Sequence, residues 1–186
     1  MEILVIKPIT QGDLSLTVAL DQVCFDGLWA KEAYLREIDS PNSSLLGLWL
    51  QHGDRPKLIG IGCLWSIVEE AHITLLGIHP DYQKQGLGQF LLLTLLQDGV
   101  VRQLEWATLE VNAHNLPAIS LYQKFGFAIA GKRPKYYQKT GEDALILWRK
   151  GLDKLEFQQQ LNLWQKQVRD RLYPNYRIDF IGYGKP

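Results

Sequence analysis

The sequence predicts an α/β protein in which a central sheet is flanked by helices. Short runs rich in β-branched and aromatic residues alternate with longer amphipathic runs, in the order β-α-α-β-β-β-α-β-α-β-β. A turn that contains Gly53 and Pro56 joins two of the strands as a hairpin. The 186 residues, of which 46% are hydrophobic and 22% charged, suffice for one globular domain with a packed core.

The N-terminal half predicts four strands and two helices. Thr10 and Asp13 are suitable N-caps for the first helix, which should run to about residue 23. Pro41 ends the second helix. That helix covers residues 29–38, and the strands cover residues 2–7, 45–51, 58–68 and 71–78.

The next predicted helix covers residues 86–98. Its leucines occupy most of its circumference, and its few polar residues share one side, so we expect it to be largely buried. A further helix over residues 115–125 ends at Gly126, a typical C-cap. Strands are predicted over residues 104–111, 127–131 and 144–150, the last two joined by a polar loop.

Residues 153–186 form a predicted appendage to a domain of residues 1–152. An apolar stripe with spacings of four and three predicts an amphipathic helix, which Pro174 ends. The alternation of Tyr176, Ile178 and Phe180 is a weak strand pattern before a glycine-rich end. We expect the helix to pack on the domain or on a second subunit. Its stripe consists of Phe157, Leu161, Trp164, Val168 and Leu172.

The bulk properties exclude several classes of protein. The net charge is zero and the pI is near 6.9, so no strong attraction to nucleic acid or membrane is expected. No signal peptide or membrane span is evident, which predicts a cytoplasmic protein. Cys24 and Cys63 are expected to be small buried hydrophobes in a reducing compartment. The histidines lack metal-ligand spacing and are interpreted as non-ligands: His52, His72, His79 and His114.

The segment Gln83-Lys84-Gln85-Gly86-Leu87-Gly88 follows an apolar strand and opens an apolar helix. Two glycines at a helix start let backbone N–H groups approach an anion, and the helix N-terminus adds about half a positive charge. A phosphate-bearing ligand is therefore expected. The dinucleotide motif G-x-G-x-x-G and the P-loop ending G-K-[ST] are both excluded by the residues that follow.

This loop resembles the Q/R-x-x-G-x-G/A signature of the GNAT N-acetyltransferases. The segment from Leu109 to Phe127 matches a second pattern of that family, L-E-V-x-x-x-N-x-x-A-x-x-L-Y-x-x-x-G-F, at every fixed position. The resemblance implies the GNAT fold, a mixed and mostly antiparallel sheet splayed at an acetyl-CoA cleft. It also implies acetyl-CoA as co-substrate and no metal. The implied cofactor-binding residues are Leu76, Gly77, Ile78, Gln83, Lys84, Gln85, Gly86, Leu87, Gly88, Gln89 and Asn115.

Within the family, the chain is most similar to bacterial enzymes that acetylate the N-terminal alanine of a small-subunit ribosomal protein. The similarity covers about residues 3–151 and includes the segments from Cys24 to Tyr34, from Arg133 to Tyr137 and from Gly141 to Leu147. Two departures put the peptide specificity in doubt. Leu28 replaces a common proline, and Leu75-Leu76-Gly77-Ile78 replaces the N-I-A-V strand.

The resemblance also assigns chemical roles. Glu110 is the candidate general base and Tyr122 the candidate general acid, because acetyl transfer needs a neutral amine and a protonated leaving thiol. The alternatives are an exposed strand-end charge and a core tyrosine. Asn115 could be an N-cap, a cofactor ligand or both. The implied substrate-binding residues are Trp29, Tyr136 and Tyr137, although the tyrosines could simply cover a sheet edge.

Three functions remain open at this point. The first is acetylation of a protein N-terminus, with a ribosomal protein as partner and with the enzyme a monomer or homodimer. The second is acetylation of a small-molecule amine or a lysine side chain. The third is a non-catalytic acyl-CoA-binding sensor, which the presence of both Glu110 and Tyr122 disfavours.

Overall fold

The computed structural model describes residues 2–52 and 55–180, in which seven strands and four α-helices follow the predicted order. A fifth helix and an eighth strand follow them, as predicted for the appendage. The turn predicted at Gly53 and Asp54 and the glycine-rich end lie outside the described residues. Short 3₁₀ turns at Gln11–Asp13 and Pro80–Tyr82 precede α1 and α3. The bounds are β1 Glu2–Pro8, α1 Leu14–Phe25, α2 Lys31–Asp39, β2 Ser43–His52, β3 Arg55–Ile67, β4 Glu70–Ile78, α3 Leu87–Val101, β5 Trp106–Asn112, α4 Leu116–Lys124, β6 Ala128–Tyr137, β7 Glu142–Lys150, α5 Leu155–Leu172 and β8 Tyr176–Phe180.

The strands form one sheet in the order β6-β7-β5-β4-β3-β2-β1-β8. The pairs β4–β5 and β1–β8 are parallel and the others are antiparallel, which confirms the mixed, mostly antiparallel sheet. Pairing between β4 and β5 is limited to Glu70–His72 against Trp106–Thr108. Beyond His72 the two strands diverge, so the predicted splay is also confirmed. Among the described residues, no strand pairs with the β5 side of β4 beyond His72.

Each face of the sheet carries its own hydrophobic cluster. The larger cluster contains α3, which the leucine pattern predicted to be largely buried, and α3 has buried side chains around most of its circumference. The smaller cluster lies under α1 and α2 and includes Trp49 and Tyr34. The polar side chains buried on α3 are satisfied, since Thr94 donates to the Phe90 carbonyl and Asp98 accepts from Ser44 and Arg102. The core therefore contains α3 without orphaned charge.

Strand β6 differs from the sequence prediction. We predicted a strand over residues 127–131 followed by a polar loop, but β6 runs on to Tyr137, so Tyr136 and Tyr137 lie at the end of a strand. Most of its residues are exposed, because β6 is an edge strand of the sheet. Pro134 is compatible with that position, since an edge strand can lack a ladder donor. An exposed strand has no apolar alternation by which the sequence could reveal it.

The C-terminal segment packs on the same sheet. The helix α5 lies against α3, and its residues Phe157, Leu161, Val168 and Leu172 are buried in the larger cluster. Trp164 is partly buried there, with its ring centroid 5.1 Å from that of Phe125. The strand β8 then pairs in parallel with β1 and completes one edge of the sheet. Because these contacts belong to one continuous core, α5 should contribute to the stability of the whole domain.

We therefore expect Leu161→Ala to destabilise the protein by about 2–5 kcal/mol, because it leaves a cavity in a side-chain cluster. Leu161 is 1% exposed, whereas Leu163 on the same helix is 62% exposed. Leu163→Ala is thus the matched control, with an expected change within about 0.5 kcal/mol. Urea unfolding measures both values, and equal midpoints for the two variants would contradict the packing of α5. Truncation after Leu152 should be more severe, with lower stability or solubility.

Candidate active site

The divergence of β4 from β5 opens a cleft of ≈ 430 Å³. Its walls come from the end of β4, the glycine loop that precedes α3, the start of α4 and the end of α1. Most of the cofactor-binding residues predicted from the sequence meet here. They are Leu76, Gly77, Ile78, Gln83, Lys84, Gly86, Gly88, Gln89 and Asn115.

The glycine loop presents backbone donors at the base of this cleft. Gly86 is the N-cap of α3 with φ +93°, a left-handed conformation that strains any side-chain-bearing residue. The first α-helical bond runs from Phe90 N to Gly86 O at 3.1 Å. The N–H groups of the preceding residues of α3 therefore have no acceptor within the helix. Gln83 supports the loop from below, since its Nε2 donates to the Ile78 carbonyl at 3.0 Å. Unbonded donors at a helix N-terminus fit a pyrophosphate group.

Two residues of the predicted loop do not offer their side chains to the cleft. Leu87 is 1% exposed and belongs to the core, because it begins the buried face of α3. Gln85 turns towards the C-terminal segment, where its Oε1 accepts a hydrogen bond from the Tyr176 hydroxyl at 2.5 Å. These two residues can therefore contact a ligand only through their backbone groups, which is the kind of contact that the sequence predicts for this loop.

Five cleft residues were missed by the sequence reasoning, among them Phe25 and Cys24 at the end of α1. A Cβ atom on Gly77 would lie 2.3 Å from Cζ of Phe25, so the glycine is what allows this ring to cover β4. Cys24 is half-buried in the cleft wall, not fully buried as predicted. Burial, with a smaller effect of Asp21, raises its thiol pKa to about 11, so it is a poor nucleophile. The others are Pro117, Ala118 and Leu121.

The position of Asn115 is compatible with both roles that the sequence left open, helix N-cap and cofactor ligand. It is the N-cap of α4, where its Oδ1 accepts from Ala118 N at 3.2 Å. It also lines the cleft opposite the glycine loop. The cap uses Oδ1, so the amide nitrogen remains available to a ligand.

Glu110 lies on β5 in a charged cluster. Its side chain is 13% exposed, with Oε2 2.8 Å from His72 Nε2 and Oε1 3.2 Å from Arg133 Nε. The hydrogen bond with His72 is the main cause of a lowered carboxyl pKa, to which Arg133 also contributes. The carboxylate is therefore ionised at neutral pH and held in place, unlike a freely solvated strand-end charge.

His72 was interpreted from the sequence only as a non-ligand. It lies on β4 opposite Thr108, and Glu110 is two residues further along on the same face of β5. Its Nδ1 faces Oε1 of Glu70 at 3.7 Å, so the imidazole lies between two carboxylates. Within residues 2–52 and 55–180, no group of three or more side chains of the metal-binding types is arranged to hold a metal ion. The parallel register of β4 and β5 creates this cluster, and only the register could have predicted it.

Tyr122 lies on α4 and is 7% exposed. Its ring packs edge-on against Phe127, with centroids 5.8 Å apart. Burial, and secondarily the nearby Tyr137, raises the pKa of its hydroxyl, so the phenol stays protonated throughout the neutral range. Tyr122 is therefore a core residue, and its protonated hydroxyl lies close to Tyr137 at the end of β6.

Aromatic side chains surround the Glu110 cluster. The Trp29 ring stacks on Trp65 at 6.3 Å, and Trp65 contacts His72 edge-on at 6.0 Å. On the other side, Tyr136 and Tyr137 contact each other at 5.2 Å. Burial is the main cause that raises the pKa of Tyr137 to about 12, and Glu110 adds to it. The residues predicted to bind substrate thus lie on both sides of the predicted base.

The loop that carries Trp29 is held by a buried carboxylate. Asp21 on α1 is fully buried and accepts from the backbone N–H groups of Leu28 at 2.7 Å and Trp29 at 3.2 Å. The Tyr34 hydroxyl donates to the same carboxylate at 2.5 Å. These bonds fix the position of Trp29 relative to the cluster, and a proline before Trp29 is not needed for that purpose.

Diverging strands, a glycine loop at a helix N-terminus that lines the cleft, and a carboxylate where the pairing of β4 and β5 ends together fit an acyltransferase that uses a coenzyme A thioester. The comparison with known proteins agrees. The chain belongs to the acetyltransferase (GNAT) family, whose model matches residues 15–127. It is accordingly an N-acetyltransferase with acetyl-CoA as its co-substrate.

Two relatives and one solved structure to which the chain is similar are N-acetyltransferases. The chain is 31% identical over 137 residues to a putative bS18-alanine N-acetyltransferase of Bacillus subtilis, which covers 73% of this chain and 88% of the relative. It is 32% identical over 150 residues to the N-alpha-acetyltransferase RimI of Mycobacterium tuberculosis. That match covers 77% of this chain and 90% of the relative. The solved structure of the Escherichia coli ribosomal-protein-S18-alanine N-acetyltransferase matches with a TM-score of 0.69 at 28% identity. The match covers 81% of this chain and 94% of the solved chain.

Among the residues that the structure describes, no helix is both long enough and apolar enough to cross a bilayer.

Proposed function

We propose that the protein acetylates the N-terminal α-amine of a protein, and specifically the N-terminal alanine of a small-subunit ribosomal protein. The observation that carries this proposal is the Glu110–His72 cluster, which lies between Trp29 and the tyrosine pair at the place where the pairing of β4 and β5 ends. The similarity to alanine N-acetyltransferases of ribosomal protein bS18 supports the choice of substrate.

Glu110 acts in this proposal as the general base. An α-amine has an ordinary pKa of about 7.7–8.0. A pH of 7 lies only about one pKa unit below that value, so deprotonation of the amine needs little free energy. A carboxylate with a lowered pKa is a weak base. It therefore suits a substrate amine that is easily deprotonated, such as an α-amine. It takes the proton directly or through one water molecule, while His72 and Arg133 hold its two oxygens.

Tyr122 acts as the general acid. Acetyl-CoA supplies an acetyl thioester, whose carbon the neutral amine attacks and whose sulfur leaves as a thiolate. Tyr122 is protonated because burial raises its pKa, so it can donate a hydrogen bond and then its proton to that sulfur. The backbone N–H of Ile78, at the end of β4, is the proposed donor to the thioester oxygen.

The surroundings favour a chain terminus over a lysine side chain. A lysine amine has an ordinary pKa of about 10.4, so its deprotonation at pH 7 is harder by more than two pKa units than that of an α-amine. Lys139 Nζ also contacts the Asp26 carbonyl at 3.0 Å and its Oδ2 at 3.3 Å. This contact joins the segment that follows Tyr137 to the segment that precedes Trp29.

The test is a peptide panel with acetyl-CoA. Peptides that begin with Ala, Ser or Met are compared with a peptide whose N-terminus is blocked and whose only acceptor is an internal Lys. We expect the Ala peptide to react with the highest kcat/KM and the blocked peptide to be inert. Faster reaction of the blocked peptide, or of a polyamine, would favour the second function. Tight acetyl-CoA binding with no turnover of any acceptor would favour a sensor.

The remaining expectations stay predictions of the sequence. They are a cytoplasmic location, no direct nucleic-acid or membrane partner, and a monomer or homodimer.

A further inference from the structure

The C-terminal segment contacts the phosphate loop, although it carries no family motif. The Tyr176 hydroxyl on β8 donates to Gln85 at 2.5 Å, and Tyr176 itself is 5% exposed. The end of α5 lies against the next loop residue, since a Cβ atom on Gly86 would be 3.7 Å from Cδ2 of Leu172. Two successive residues of the loop are therefore supported by the appendage, and the position of the loop depends on it.

Arg171 lies at the same place. Its Nε would be 3.8 Å, and its Cδ 3.9 Å, from a Cβ atom on Gly86. The side chain is exposed, and within the described part of the chain it makes no hydrogen bond or ion pair. An unpaired guanidinium beside the N-terminus of α3 adds positive charge at the point where the free backbone donors lie.

The cleft itself supplies little positive charge. Among the residues that line it, Lys84 is the one charged side chain. Coenzyme A carries a pyrophosphate and a 3′-phosphate. A single lysine cannot neutralise all of these phosphate charges, so most of them must be stabilised by backbone dipoles and solvent. A guanidinium binds phosphate with two parallel N–H donors, which makes Arg171 a suitable second cation.

We propose that Arg171, from the C-terminal appendage, binds a phosphate group of acetyl-CoA and so makes the appendage part of the cofactor site. This inference rests on the proposed placement of the cofactor over the glycine loop. It revises the expectation that residues 153–186 only support the core. The opposing interpretation is that Arg171 interacts only with the carbonyl end of its own helix.

The experiment compares Arg171→Gln with Arg177→Gln in the full chain. Arg177 is an exposed arginine of the same appendage, and it alternates with Tyr176 and so faces the opposite side of the sheet. Calorimetry gives Kd for acetyl-CoA and for its 3′-dephospho analogue, and NMR titration gives Kd for S-acetylpantetheine. Thermal unfolding verifies that both variants are folded.

We expect Arg171→Gln to weaken acetyl-CoA binding about tenfold, as for an exposed charge-assisted contact, and Arg177→Gln to have no effect. A loss that disappears with the 3′-dephospho analogue assigns Arg171 to the 3′-phosphate. A loss that persists there but disappears with S-acetylpantetheine assigns it to the pyrophosphate. Either result supports the proposal.

Three results would overturn it. Equal acetyl-CoA affinity in the two variants would leave Arg171 without a role in binding. An equal loss for S-acetylpantetheine would show that Arg171 acts on the fold of the site, since that ligand has neither phosphate. Wild-type protein that fails to bind acetyl-CoA would refute the cofactor placement itself, which separates that failure from the failure of Arg171 alone.

Discussion

Glu110→Gln is expected to lower kcat for the N-terminal peptide by about 10²–10⁴-fold, the usual loss when a general base is removed. The amide keeps the shape of the side chain and can still accept from Arg133, which contacts Oε1 at 3.2 Å. It cannot take the proton that the α-ammonium group of the peptide must lose before the neutral amine attacks. Because the cofactor cleft is built from other residues, the Kd for acetyl-CoA should change little. Steady-state kinetics and calorimetry give the two values.

The pH dependence follows from the lowered pKa of Glu110. A carboxyl group with a lowered pKa keeps its basic form down to below its ordinary titration range, so it does not change charge near neutrality. The kcat/KM of the wild-type enzyme should therefore rise with pH until the peptide α-amine is neutral, at about 7.7–8.0. Glu110→Gln should show the same rise at a much lower rate.

The matched control is Glu105→Gln. Glu105 is an exposed carboxylate directly before β5, and so represents the strand-end charge that the sequence left as an alternative for Glu110. It should retain full turnover. Near wild-type turnover of Glu110→Gln, or an equal loss in both variants, would remove Glu110 from the mechanism.

Tyr122→Phe is expected to reduce kcat by a similar factor, about 10²–10⁴-fold, through the loss of the proton donor. The phenylalanine ring preserves the edge-on contact with Phe127, so the fold and the acetyl-CoA affinity should be nearly unchanged. An acetyl thioester whose thiol is more acidic than coenzyme A needs less protonation of its leaving group. The deficit of Tyr122→Phe should therefore shrink with such a donor.

Tyr173→Phe provides the comparison, since Tyr173 is 69% exposed at the end of α5. It should behave as wild type with either donor. If Tyr122→Phe also turned over normally, Tyr122 would be a core residue only. A deficit that is the same for both donors would point to lost positioning instead of lost acid catalysis.

The sequence was sufficient for the elements with a strong apolar pattern. The helix α3 follows from its nearly continuous leucines, and the hairpin strands β2 and β3 and the amphipathic helix α5 follow from hydrophobic periodicity. The glycine loop of residues 83–88 and the motif of residues 109–127 could also be identified from the sequence. A glycine loop at a helix start and an asparagine N-cap each depend only on neighbouring residues in the chain. The second half of β6 was missed, since an exposed edge strand has no such periodicity.

By itself, the sequence determined the α/β order, the buried helix and the loop with Gly86 at positive φ, because those properties depend on residues close together in the chain. The tertiary structure alone decided which side chains meet Glu110 and the loop. His72 reaches Glu110 across the short parallel pairing of β4 and β5, and Arg171 reaches Gly86 because α5 packs on α3. Such contacts join residues 38 or more positions apart in the chain, and strand register and helix packing, not local pattern, bring them together.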